Sequence, residues 1–223
     1  QHGFGRDLEW QANRESDTCV SLTLMPNDYT KKMYPWDFKC TVRYTLDGCS
    51  LKKEHITENC SDSTMYYEVG GHDAYNLCWQ DGEQITDYYV AFEGVDALSR
   101  IVTDESVMLT RERVSVPLVE GRLPITRGLF ADDAVMTEGL PVRRATIGCT
   151  KNSRTVTMDF TDFDYFAVWS ANKDFDVPYV CLEPWSTLPD GSYLDHAIEN
   201  KEGVRVLQPG QSETLSFTTT IQE

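Results

Sequence analysis

One of the four histidines in this 223-residue chain follows two glycines, in the stretch Val69-Gly70-Gly71-His72-Asp73-Ala74-Tyr75-Asn76-Leu77. Imidazole, with an unperturbed pKa near ~6.5, is the side chain best suited to donate or accept a proton around neutrality. The Gly-Gly pair permits positive φ and lets another segment approach the backbone closely. His72 is therefore a candidate general acid or base, although the same turn would suit a histidine that only caps a loop. A second candidate closes an apolar run, in Val180-Cys181-Leu182-Glu183-Pro184-Trp185. A carboxyl group in such a partly desolvated place should have a raised pKa, which suits a general base. The indole of Trp185 beside it offers a flat platform for a sugar face. The plainer alternative is a strand-end glutamate exposed at a loop.

Two further groups could complete a site. His2 and Arg6 lie four residues apart in His2-Gly3-Phe4-Gly5-Arg6, where both can face one pocket. A guanidinium is a planar fork of donors matched to hydroxyls or phosphate. The ordinary alternative is a fraying terminus with a surface arginine. In Phe130-Ala131-Asp132-Asp133-Ala134-Val135, two carboxylates stand beside apolar residues and could accept hydrogen bonds from ligand hydroxyls. They could equally start a helix, where Asp is favoured as a cap. His55 and His196 lie in polar stretches and are expected at the surface. No two histidines have metal-ligand spacing, so no dedicated metal site is expected.

The elements that would position these groups are strands. Phe38, Cys40, Val42, Tyr44 and Leu46 alternate with polar residues, the period of a half-buried strand. Asp47-Gly48 is a hairpin signal, and 51–57 is the expected return strand. Residues 64–69 then lead into the Gly-Gly-His turn. Further strands are expected at 88–92, 101–102, 106–110, 114–119, 155–160, 166–169, 179–182 and 213–221. Pro117 marks an edge or interruption, and Pro184 is expected to stop the 179–182 strand. Helical periods are scarce, with a turn or two conceivable at 95–100 and 129–136. Many short strands separated by turn signals indicate an all-β antiparallel sandwich or barrel, expected as one domain over 1–223.

Composition narrows the partners. With 20 basic and 36 acidic residues the net charge is −16, which disfavours nucleic acid and anionic membranes, both of which need clustered Lys/Arg. No apolar run approaches the ~20 residues of a membrane span, and no leader-like segment opens the chain. The seven cysteines are odd in number and show no C-x-x-C spacing. They read as buried free thiols of a cytoplasmic protein rather than a disulfide framework or a zinc site.

Taken in order, His2-Gly3-Phe4-Gly5-Arg6, Gly70-Gly71-His72-Asp73-Ala74-Tyr75-Asn76, Asp132-Asp133-Ala134, Leu182-Glu183-Pro184-Trp185 and the closing 203–213 stretch resemble the aldose 1-epimerase (galactose mutarotase) family, LacX-like branch. The resemblance implies a large antiparallel supersandwich and cofactor-free interconversion of the α and β anomers of an aldohexose. It implies Glu183 as the base at the C1 hydroxyl and His72 as the acid at the ring oxygen. His2 would assist at the hydroxyls, and Asp133, in preference to Asp132, would hold the sugar. Arg6 keeps a hexose-6-phosphate variant of the reaction open. A non-catalytic carbohydrate-binding sandwich would need Trp185, Asp133 and Arg6 but not both proton-transfer groups. There are two departures from the family pattern. The sequence starts one residue before the first motif, where the family carries several strands, so either that portion is left out of this sequence or the expected sandwich lacks the family's leading strands. Asp73 stands where this branch commonly has proline.

Overall fold

The computed structural model describes residues 2–171 and 177–223. An exposed strand β1 (Gln11–Arg14) pairs with β2 (Cys19–Leu24), which pairs with β3 (Phe38–Asp47). The hairpin to β4 (Ser50–Asn59) closes as expected: Asp47 pairs with Ser50, leaving Gly48 and Cys49 as a two-residue loop. Gly48 sits at φ +57, a conformation costly for any residue with a Cβ. The chain continues through β5 (Met65–Tyr67), β6 (Asp73–Asn76), β7 (Tyr88–Phe92) and β8 (Ala97–Thr103). Next come β9 (Leu109–Pro117), β10 (Arg122–Pro124), β11 (Val135–Glu138) and β12 (Arg144–Cys149). The last strands are β13 (Thr155–Asp159), β14 (Tyr165–Trp169), β15 (Tyr179–Trp185), β16 (Arg205–Leu207) and β17 (Ser212–Gln222).

These strands form a nine-stranded antiparallel sheet in the order β1-β2-β3-β4-β17-β13-β12-β7-β10 and a six-stranded sheet in the order β6-β15-β14-β11-β8-β9. A small ribbon pairs β16 with β5. The all-β antiparallel sandwich read from the sequence is the observed fold. Its main core lies between the two large sheets. Val90, Ile147, Met158 and Phe217 come from one sheet, and Leu98, Val135, Phe166, Val168 and Leu182 from the other. The six-stranded sheet is also covered on its other face, by Ile101, Ala134, Met136, Tyr165 and Ala167 together with Leu188 from the loop after β15. Strand β14 is therefore buried at four of its five positions, which is why its sequence is a plain apolar run without alternation.

Several local expectations change. The helical turns at 95–100 and 129–136 do not form. The first becomes β8; the second is a set of tight turns leading into β11. Leu98 faces one core and Ile101 the other, so packing on both sides of a sheet overrides a short helix-like apolar spacing. The segments 106–110 and 114–119 belong largely to one strand, β9, and Pro117 ends it at the sheet edge, as its missing N–H requires. Pro184 does not stop its strand: β15 continues to Trp185. His55 is not a surface residue. It is buried on β4, stacked on Phe217 with its Nδ1 unpartnered, and burial together with the Lys53 charge pushes its pKa down to about 4. His196 is exposed as expected, bonded to Asp190 at 2.7 Å. All seven cysteines are free; Cys149 and Cys181 are buried, whereas Cys49 and Cys60 are exposed. No helix among the described residues is long and apolar enough to cross a membrane.

Candidate active site

The two proton-transfer candidates, more than a hundred residues apart in sequence, are neighbours across one strand pair. Strands β6 and β15 pair Asn76 with Tyr179, Tyr75 with Val180, Ala74 with Cys181 and Asp73 with Leu182. The same register continues past β6, where Gly71 N–H donates to the Pro184 carbonyl at 2.9 Å and Gly70 bridges Trp185. His72 thus stands opposite Glu183. Pro184 has no N–H to return, so the regular ladder stops at Asp73 and His72 lies just beyond its end.

The Gly-Gly pair is explained by close approach and not by positive φ, since neither glycine is in the left-handed region. A Cβ on Gly70 would lie 2.8 Å from the Pro184 carbonyl oxygen, and one on Gly71 would lie 2.6 Å from the Phe217 ring. Alternation does the rest: Asp73, Tyr75 and Leu77 turn inward, while His72, Ala74 and Asn76 face solvent.

Glu183 is only 3 % exposed. Its Oε1 lies 3.5 Å from His72 Nδ1, while the His72 side chain is 38 % exposed. Burial, followed by the negative charge of Asp133, raises the Glu183 pKa to about 8; the Trp185 indole N–H, hydrogen-bonded to the carboxyl, offsets part of that rise. Asp133 reaches this place from a strained turn, at φ +72. Arg100 on β8 holds that turn by donating to the Asp132 carbonyl at 2.8 Å and the Asp133 carbonyl at 3.4 Å. The His2 ring lies 5.0 Å from that of His72, and burial plus the His72 and Arg6 charges lower the His2 pKa.

Five of the six residues singled out in the sequence therefore converge: His2, His72, Asp133, Glu183 and Trp185. Arg6 stays apart in an exposed short 3₁₀ turn, bonded to Asp7 at 3.4 Å, and only its charge is felt at His2. Sequence reading missed Trp169, whose ring meets His72 edge to face at 5.7 Å, and Cys181, two residues before Glu183 on the same face of β15. Trp169 closes an apolar run and Cys181 sits inside one, so neither carried a signal beyond core packing. The thiol is inert: burial and the nearby Glu183 push its pKa up to about 12. Donor atoms of His72, Cys181 and Glu183 lie within 4.8 Å of one another, a convergence that histidine spacing along the chain did not reveal. An open cleft of about 440 Å³, lined by Ala74, Tyr75 and Asn76 of β6 together with Trp79, Arg154 and Gln222, contains neither His72 nor Glu183.

The class defined here is an antiparallel two-sheet β-sandwich that sets a histidine beside a buried glutamate on one strand pair, flanked by tryptophans. The comparisons specify it further. The Aldose 1-epimerase family model matches residues 1–220, and the chain belongs to that family. It is 29 % identical over 225 positions to the chromosomal Protein LacX of Lactococcus lactis subsp. lactis, covering 99 % of this chain and 74 % of that protein. Among solved structures, it superposes with TM-score 0.91 and 29 % identity on a galactose mutarotase related enzyme from Lactobacillus acidophilus, covering 100 % of this chain and 74 % of the other. A galactose mutarotase-like protein from Lactobacillus casei gives TM-score 0.90 and 25 % identity, with 100 % and 76 % coverage.

Proposed function

We propose that this protein is an aldose 1-epimerase that interconverts the α and β anomers of an aldohexose, with Glu183 as base and His72 as acid. The observation that carries the reading is the cross-strand pair itself. An almost fully buried carboxyl with its pKa raised to about 8 stands 3.5 Å from a half-open imidazole. A carboxylate with that basicity takes up a proton far more readily than one at the surface. The half-exposed histidine can exchange protons with water and meet a ligand entering from solvent.

The proposed reaction starts from Glu183 as the carboxylate with a proton carried by His72. Glu183 removes the proton from the C1 hydroxyl while His72 delivers its own to the ring oxygen, and the C1–O5 bond breaks. The open aldehyde rotates about C1–C2, and the same two groups run the steps backwards on the other face. The proton count is unchanged over the cycle, so no cofactor enters. Asp133 and His2 accept or donate hydrogen bonds at the sugar hydroxyls, and Trp185 supplies an apolar wall. A sugar-binding module without catalysis would have no use for burying Glu183 beside a like charge, because burial and the Asp133 charge both destabilise its ionised form.

Exchange NMR of anomeric protons in glucose and galactose tests the reading. Intact protein should speed anomer exchange, and the Glu183→Gln variant should lose that effect while still perturbing the sugar resonances. Sugar binding with no acceleration by the intact protein would overturn the enzyme reading in favour of a binding module.

A further inference from the structure

We propose that Lys53 and Asp73 are positioning residues: an ion pair spanning the two sheets that holds the start of β6, and with it His72, in register against Glu183. The inference rests on the role given to His72 above. Strand β6 is an edge strand of only four residues, paired with β15 alone in its sheet. Its ladder ends at Asp73, so the residue asked to deliver a proton stands one position past the last regular pairing. Such an end frays unless something else grips it.

The grip comes from the opposite sheet, on both sides of His72. Asp73 turns inward and its carboxylate is ion-paired with Lys53 Nζ on β4. Lys53 is 9 % exposed, rare for a lysine unless it is paired. Its partners in the sheet row are Tyr44 on β3 and Phe217 on β17, and Nζ lies 5.2 Å and 5.1 Å from their ring centres. The ammonium thus has one carboxylate and two ring faces to aim it across the sandwich. Residue 71 is held by the same wall, because the Phe217 ring fills the space where a Cβ would be. Side chains alternate strictly along a strand, so a one-residue slip would turn His72 toward the core and Asp73 toward the site. Such a slip would separate the buried ammonium from its carboxylate. Buried ion pairs contribute little to net stability and are best used to set register.

The test uses Lys53→Met and the double variant Lys53→Met/Asp73→Leu, which removes both charges and refills the space with apolar atoms. Two readouts are taken: kcat and KM from anomer exchange, and amide hydrogen exchange of residues 73–76 without sugar. Positioning predicts a kcat lowered about tenfold or more with KM changed less than about twofold, since small misplacement of a reacting group is costly in rate. It also predicts faster exchange at 73–76 with β12 and β13 unchanged, and it predicts that the double variant regains thermal stability but not kcat. A double variant with wild-type kcat, or folded variants whose 73–76 amides exchange at the wild-type rate, would overturn the clamp. If intact protein accelerates no aldose, the functional reading fails on its own, and amide exchange still decides the clamp.

Discussion

At the scale of single residues, the site depends on what burial does to one carboxyl. Under the proposed mechanism, Glu183→Gln keeps the shape but cannot accept the C1 hydroxyl proton, and the expected loss in kcat is about 10²–10⁴-fold. Because the reacting form carries one proton on the pair, kcat/KM for the wild type should fall with rising pH along a limb near pH 8, where that proton is lost. The causes of that value assign the variants opposite signs. Asp133→Asn removes a like charge and should move the limb to lower pH. Trp185→Phe removes the donor that stabilises the carboxylate and should move it higher. Rate profiles of the three proteins between pH 5 and 9 check both directions, and shifts of the same sign in both variants would refute this account. Arg6, exposed and bonded to Asp7, should tolerate Arg6→Ala with little change in kcat.

At the scale of elements, the site is a property of how β6 meets β15. Gly71→Ala places a methyl group against the buried Phe217 ring and should cost about 1–3 kcal/mol, with a fall in kcat because His72 must move. Gly48→Ala is the control. Its Cβ meets nothing, and its cost of about 1 kcal/mol comes from the left-handed φ alone, with activity intact. Urea unfolding with parallel exchange NMR separates the two. The hairpin of β3 and β4 was legible because its pattern is local: alternation, a turn dipeptide, alternation again. Strand β14 was legible only as an apolar run, while β11 and the turn that delivers Asp133 were not legible as such. Both faces of their sheet are covered, which erases the period-2 signal, and a strained φ at Asp133 is sustained by Arg100, a residue thirty-three positions away.

At the scale of the whole molecule, two buried groups tilt stability in opposite senses. His55 has its folded pKa lowered from 6.5 to about 4, so its contribution is complete above pH 6.5 and is lost as pH falls toward 4. Glu183 has its folded pKa raised from 4.5 to about 8, so its contribution is complete below pH 4.5 and is lost as pH rises toward 8. Each slope is about 1.4 kcal/mol per pH unit, and between pH 4.5 and 6.5 they cancel. His55→Phe should therefore leave a stability that declines steadily from pH 4.5 to 8, and Glu183→Gln one that no longer declines above 6.5. Urea midpoints at pH 5, 6.5 and 8 measure both.

The amino-acid sequence by itself determined the class of fold and the central hairpin, and it singled out five residues that converge. The fold and hairpin are written in short-range patterns of apolar spacing and turn dipeptides. His72 and Glu183 stand out as reactive side chains beside residues that hinge or shield them, and His2 and Asp133 are picked out by the family resemblance. Only the tertiary structure decided that His72 and Glu183 are cross-strand partners, that Arg6 is not with them, and that His55 and Lys53 are buried. Those facts arise from pairing and packing between distant segments, and a side chain's environment follows from what other strands bring to it.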